Sequence, residues 1–221
     1  MKDYGDPAYW EQTYESDKER TYDWLISFES LMPKIEQYLK SEYKILVTGC
    51  GNAEFSEKLY DAGYKHIWNN DISKAVITQM KERNNSRPEM HWEVMDVCEM
   101  NYENGFFDIV IDKSTIDAIC CGESAFSNVA KITNGVSRVL KEGGKLVIIS
   151  YAKPYMRFPH LKKAHLDFDV EVETIKGESA SHKTSENFIY IATKGAKWQK
   201  NSNENFSKVL DDLIAKESEE K

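Results

Sequence analysis

From residue 44 to residue 151, short apolar runs alternate with stretches of helical periodicity. No other feature of the sequence limits the fold as much. Residues 44–48, 66–70, 90–97, 107–112 and 145–151 read as strands. Residues 54–62, 73–83 and 124–140 read as helices, with Ser73 as an N-cap and Glu142-Gly143-Gly144 ending the last. Strands this apolar, joined through helices, call for a parallel sheet covered on both faces, with right-handed crossovers. After residue 151 the rhythm changes. Residues 168–175 alternate in and out, and residues 188–193 follow without a long helix between them, which predicts a terminal antiparallel hairpin. The connection at 176–187 is rich in Gly, Ser, Lys and Glu and reads as mobile. Residues 24–40 have helical spacing, with Pro33 predicting a kink or a fresh start.

The 221 residues suit one α/β domain, expected over residues 1–200, with an aromatic lid at 1–23 and a charged tail at 201–221. The tail reads as solvated and frayed, although Val209, Leu210 and Leu213 allow a short amphipathic turn. Hydrophobic residues at 41% supply a core. A net charge of -8 makes the chain a poor binder of phosphate backbones, so nucleic acid is not an expected partner. It suits a small molecule or a basic protein surface. Cys50, Cys98, Cys120 and Cys121 form no C-x-x-C pair and read as reduced thiols, with no metal expected. Met1-Lys2-Asp3 opens no signal peptide, and no apolar run reaches the ~18 residues that span a bilayer. The expected location is the cytoplasm, and no membrane partner is expected.

"ILVTGCGNAEFS" places Gly49 and Gly51 at a strand-to-helix turn, where backbone can approach a ligand beneath a helix N-terminus. A pyrophosphate, a carboxylate or a ribose would each suit that turn. Glu54 stands where the dinucleotide fingerprint has its third glycine, which weakens the dinucleotide reading. Asp71, about twenty residues on, can accept from both hydroxyls of a ribose. Asp96 ends the next apolar run and suits an exocyclic adenine amine. Two acids after two successive strands fit an adenosine lying across the strand ends. "FFDIVIDKSTIDA" puts Asp112 and Lys113 at the carboxyl end of the fourth strand, where open α/β sheets bind ligands, with Asp117 just beyond. Trp10, Tyr14 and Trp24 pack a leading segment, or wall in a cationic ligand such as a sulfonium by cation–π contact.

These stretches together resemble the class I, seven-strand methyltransferases that use S-adenosylmethionine. "YWEQTY…YDW", "ILVTGCGNAEFSEKLYDAGY", "NNDISKAVITQM", "MHWEVMDV", "FDIVIDKSTIDAI" and "SRVLKEGGKLVIIS" resemble, in order, the lysine methyltransferases of translation elongation factor one alpha, of the endothelin-converting-enzyme-two-like and methyltransferase-like-protein-thirteen type. The resemblance spans residues 4–195. It implies a Rossmann-like sheet of order 3-2-1-4-5-7-6 with strand seven antiparallel. It implies that Gly49, Cys50 and Gly51 approach the amino acid part of S-adenosylmethionine. Asp71 would hold the ribose with Ile72 against the adenine, and Asp96 and Val97 would hold the adenine. Trp10, Tyr14 and Trp24 would close over the methionine end, and Lys113 would contact the cofactor at the mouth of the site. The product would be S-adenosylhomocysteine. Thr13 stands where the family has Arg, and Ser114 where it has Gly.

The expected activity is methylation of a protein lysine, with elongation factor one alpha as the candidate partner. Such a reaction aligns amine, methyl and sulfur and excludes water. A carboxylate near the methyl can hold the incoming ammonium, and Asp112 and Asp117 are the candidates. Three alternatives stand beside this reading: methylation of a small molecule or a protein N-terminus, a NAD-dependent oxidoreductase, and a non-catalytic binding module. Glu54, Asp96 and the terminal hairpin argue against the oxidoreductase.

Overall fold

The computed structural model describes residues 3–18, 20–163, 165–178, 184–195 and 202–219. Seven strands form one sheet in the order β3-β2-β1-β4-β5-β7-β6. In chain order they are β1 (Ile45–Thr48), β2 (Ile67–Asp71), β3 (Met90–Val94), β4 (Phe107–Lys113), β5 (Leu140–Ser150), β6 (Phe168–Glu178) and β7 (Thr184–Lys194). The first five run parallel, and β7 is antiparallel to both β5 and β6. This is the order and direction that the resemblance implies.

Strand alternation divides the core in two. Ile45, Val47, Ile109, Ile111, Val147 and Ile149 face α1 (Pro7–Ser16), α2 (Phe28–Ile35), α3 (Phe55–Asp61) and α4 (Lys74–Arg83). Leu46, Val110, Leu146 and Ile148 face α6 (Ala125–Val139) and α7 (Pro154–Leu161). Both faces of each central strand are buried, which is why these strands read as continuous apolar runs. Among the described residues no helix is long and apolar enough to cross a membrane.

Several boundaries differ from those expected. The helix expected from residue 24 starts at Phe28, because Leu25 adopts φ +66° and Ser27 provides the cap. Pro33 lies inside α2 without starting a new helix, and the chain then tightens into a 3-10 turn at Glu36–Tyr38. β3 stops at Val94, so Asp96 lies beyond the strand and caps a 3-10 turn at Val97–Glu99. β5 begins at Leu140, and its register against β4 shifts between Phe107 and Ile109, so residues 141–144 form an irregularity inside the strand rather than a separate turn. β6 and β7 extend well into the connection expected to be mobile, and residues 179–183 lie outside the described residues. The charged tail is an 18-residue helix, α8 (Ser202–Glu219), packed on α6. Its Glu217 Oε1 accepts from the N–H groups of Phe126 and Ser127 at 2.7 and 3.2 Å, capping α6 from a distant part of the chain.

Candidate active site

At the carboxyl ends of the parallel strands lies a cavity of about 520 Å³. The glycine turn forms its floor. Gly49 N–H donates to Asn70 Oδ1 at 3.2 Å, Cys50 N–H to the Asn70 carbonyl at 2.9 Å, and Gly51 N–H to Asp71 Oδ2 at 2.9 Å. A phosphate cradle needs such donors free to point at the ligand. Here all three are engaged within the protein, so these residues offer no pyrophosphate site. Both glycines are left-handed, and each makes room for one neighbour. A Cβ on Gly49 would stand 2.2 Å from Thr115 Oγ1, and one on Gly51 would stand 2.8 Å from the Tyr14 hydroxyl. Burial holds the Cys50 thiol well above its ordinary pKa, so it stays protonated.

Asp71 ends β2 and lines the cavity. Its Oδ2 accepts from Gly51 N–H, and its Oδ1 accepts from Ser73 N–H at 3.0 Å. Each oxygen keeps a lone pair beyond that contact. Burial raises its pKa to about 6, against the lowering effect of those two N–H groups. Asp96, exposed, accepts from Cys98 N–H at 2.8 Å through Oδ1. Ile72 and Val97 supply apolar surface beside the two acids.

The opposite wall is aromatic. Trp10 stacks on Tyr14 with centroids 5.9 Å apart, and Tyr22 stacks on Trp24 at 6.1 Å. Trp10 meets Trp24 edge-on at 6.2 Å. Glu11, Gln79 and Lys113 help to fasten this wall to the domain. Glu11 accepts from Ser73 Oγ at 2.5 Å and from Ala75 N–H at 3.2 Å, at the start of α4. Gln79 Nε2 donates to the Tyr14 carbonyl at 2.7 Å. Lys113 Nζ donates to Asp23 Oδ1 at 2.6 Å and to the Trp24 carbonyl. Lys113, 8% exposed, therefore anchors the aromatic segment from inside the cavity, and its ammonium is occupied by that segment. Burial of the Tyr14 hydroxyl raises its pKa, so it remains a neutral hydrogen-bonding group.

The two carboxylates expected at the reacting end are placed differently. Asp112, expected at the reacting end, is buried and does not line the cavity. It pairs in register with Thr48, accepts from Thr48 Oγ1 at 3.1 Å, and accepts from Ile116 N–H at 3.2 Å under α5 (Thr115–Ile119). Burial, then the nearby Asp117 charge, raises its pKa to about 7. Asp117, one turn further on, does line the cavity. Its Oδ1 accepts from Arg157 Nη2 at 2.5 Å and from Ser150 Oγ, and its Oδ2 accepts from Tyr151 N–H at 3.1 Å. Every other sequence-predicted position lines this one cavity: Trp10, Tyr14, Trp24, Gly49, Cys50, Gly51, Asp71, Ile72, Asp96, Val97 and Lys113. Sequence reasoning missed Glu11, and it pointed to the 151–165 segment as bearing on the acceptor without singling out Tyr151 or Arg157. Tyr151 follows the carboxyl end of β5, which was a usable signal. The partners of Glu11 and Arg157 are 62 and 40 residues away and left no local trace.

A carboxylate with lone pairs to spare, an apolar slot and an aromatic wall over a glycine turn whose N–H groups are engaged match an adenosine carrying a cationic sulfur. Comparison with known proteins agrees. The Methyltransferase domain family matches residues 46–148. The eEF1A lysine and N-terminal methyltransferase of Bos taurus is 40% identical over 166 residues, 74% of this chain but 23% of that protein. This chain thus spans about a quarter of that relative's length. EEF1A lysine methyltransferase 4 of Mus musculus is 31% identical over 201 residues, 87% of this chain and 76% of the relative. Among solved structures, the N-methyltransferase NodS of Bradyrhizobium japonicum in complex with S-adenosylhomocysteine superposes with a TM-score of 0.62, at 17% identity, over 84% of this chain and 98% of that one.

Proposed function

We infer the reaction from one premise: the chain belongs to the class I S-adenosylmethionine-dependent methyltransferases, in the same family as EEF1A lysine methyltransferase 4. The reaction proposed is methylation of a lysine side chain of a protein, with translation elongation factor one alpha as the substrate. The observation that carries the methyl-transfer reading is the glycine turn. Its three inward-bonded N–H groups and the aromatic wall above Gly51 favour a cationic sulfonium over a pyrophosphate. Bound S-adenosylmethionine supplies an electrophilic methyl group on sulfur.

Within that reading each residue has a task. Asp71 accepts from the ribose hydroxyls, and Ile72 and Val97 flank the adenine, with Asp96 at its amine. Trp10, Tyr14 and Trp24 surround the sulfonium and exclude water. Lys113 holds the Tyr22–Trp24 segment closed through Asp23. Asp117 is the acid on the acceptor side. Its Oδ2 keeps a lone pair beside the Tyr151 N–H with which to orient the incoming amine once the ammonium proton has passed to solvent, a loss that enclosure favours by desolvation. An acidic enzyme meeting a basic factor supports a protein partner, because opposite charges steer the encounter. Four free thiols and a translation factor as partner support the cytoplasm as the place of action.

The test is transfer of a labelled methyl group to recombinant elongation factor one alpha, followed by mass spectrometry of its peptides. Label on a lysine is expected. Label at the N-terminal amine would move the reading to the other activity in the name of the bovine relative. Label in small molecules alone would overturn it.

A further inference from the structure

The segment after β5 exposes three large apolar side chains: Tyr151 at 49%, Tyr155 at 74% and Met156 at 47%. Of these, Tyr151 lines the cavity. Its backbone N–H and both of its chain neighbours are held by buried groups. Asp117 Oδ2 accepts its N–H. Ser150 Oγ donates to Asp117 Oδ1 and accepts from Ala152 N–H at 3.0 Å. Arg157 Nη2 donates to the same Asp117 oxygen and to Ser150 Oγ at 3.2 Å. The Tyr190 hydroxyl donates to the Ala152 carbonyl. Asp117, Ser150, Arg157 and Tyr190 are all 4% exposed or less.

Three consecutive residues therefore hang from a buried network, while the ring at their centre faces solvent at the cavity rim. A buried Arg–Asp pair is a poor source of stability compared with packed apolar side chains. What this one fixes is the geometry of residues 150–152. An aromatic ring, half exposed and carried on a held backbone, gives contact area at low entropic cost. The ring stands on the β5 side of the cavity beside Asp117, away from the two acids at the adenosine end. Trp24, 37% exposed, belongs to the aromatic wall of the same cavity.

We propose that Tyr151 is the substrate-contacting residue that selects the methyl acceptor, its ring lying along the aliphatic stem of the target lysine in an extended protein segment, and that Arg157 is a positioning residue acting through Asp117 on the Tyr151 turn. This rests on the protein-lysine reading above.

The experiment measures steady-state methylation of recombinant elongation factor one alpha by the full chain, with calorimetric affinity for S-adenosylhomocysteine as a second readout. Tyr151→Ala is expected to raise KM for the protein about tenfold or more, with melting temperature and S-adenosylhomocysteine affinity nearly unchanged. Tyr151→Phe retains the wild-type KM. Arg157→Lys keeps the charge but not the forked geometry and raises KM in the same direction. Combined with Tyr151→Ala it adds little further to KM for the protein, because on KM the two act through one contact, while any further loss in kcat reports on Asp117 itself. An unchanged KM in Tyr151→Ala overturns the role of the ring. Additive effects on KM in the double variant overturn the role of Arg157. A wild-type chain that methylates no protein, yet binds S-adenosylhomocysteine, overturns the protein-lysine reading and takes this inference with it.

Discussion

A methyl group on Gly51 would stand 2.8 Å from the Tyr14 hydroxyl, a distance at which one of the two must move. The second glycine of the turn is thus the seat of the aromatic wall. Gly51→Ala should lower S-adenosylhomocysteine affinity about tenfold or more, at a cost in stability of about 1 kcal/mol for the left-handed backbone. Adding Tyr14→Phe should restore much of the affinity. With the hydroxyl removed, the nearest ring carbon lies 3.8 Å from that Cβ, an ordinary contact. Calorimetry on the two variants checks this, and no recovery in the double variant would refute it.

Asp71 titrates at about 6 in the fold because burial disfavours its charge. Ribose hydroxyls donate to the ionised form. Affinity for S-adenosylhomocysteine should be level above about pH 7 and fall below about pH 6, approaching tenfold per pH unit. The direction follows from the raised pKa: the proton arrives near 6 rather than at the usual carboxylate value. Asp71→Asn should bind more weakly and lose this pH dependence. Titration calorimetry between pH 5 and 8 decides it.

Asp112 and Asp117 should respond very unequally to the same conservative change. Asp112 titrates at about 7, and an amide can accept from Ile116 N–H while donating to Thr48 Oγ1. Asp112→Asn should cost under about 1 kcal/mol and leave activity near wild type. Asp117→Asn strips a buried Arg157 of its counter-charge and should cost about 3 kcal/mol or more, or roughly 6–12 °C in Tm for a chain of this size. It should also reduce protein methylation. Thermal unfolding and the labelled-methyl assay together test both. Equal losses in the two variants would contradict the geometry described.

Glu217 acts as a cap supplied from α8. Ser124, the residue before α6, is left-handed and makes no side-chain capping bond. Glu217→Ala should therefore cost about 1 kcal/mol, or roughly 2–4 °C in Tm. Glu217→Gln, which keeps an acceptor oxygen, should cost less. Scanning calorimetry gives the answer. An unchanged Tm in Glu217→Ala would mean that α8 contributes no cap in solution.

The alternation of apolar runs and helical spacing determined the sheet, its parallel core and its terminal hairpin, since strand period and helix period are properties of neighbouring residues. The same local logic put Gly49, Gly51, Asp71 and Lys113 at strand ends, where α/β sheets bind ligands. What a side chain faces at such an end is not local. Asp112 and Asp117 are five residues apart, yet only Asp117 reaches the cavity, because Thr48 on a neighbouring strand takes up Asp112 and Arg157 on α7 takes up Asp117. Lys113 was legible as a site residue, but its partner Asp23 is 90 residues away, and that pairing makes it an anchor of the aromatic wall. The charged tail carried a weak amphipathic signal, and only its packing on α6 made it a helix with a task. Burial and hydrogen-bond partners are set by segments distant in the chain, so the tertiary structure alone decided which of the right residue types does which work.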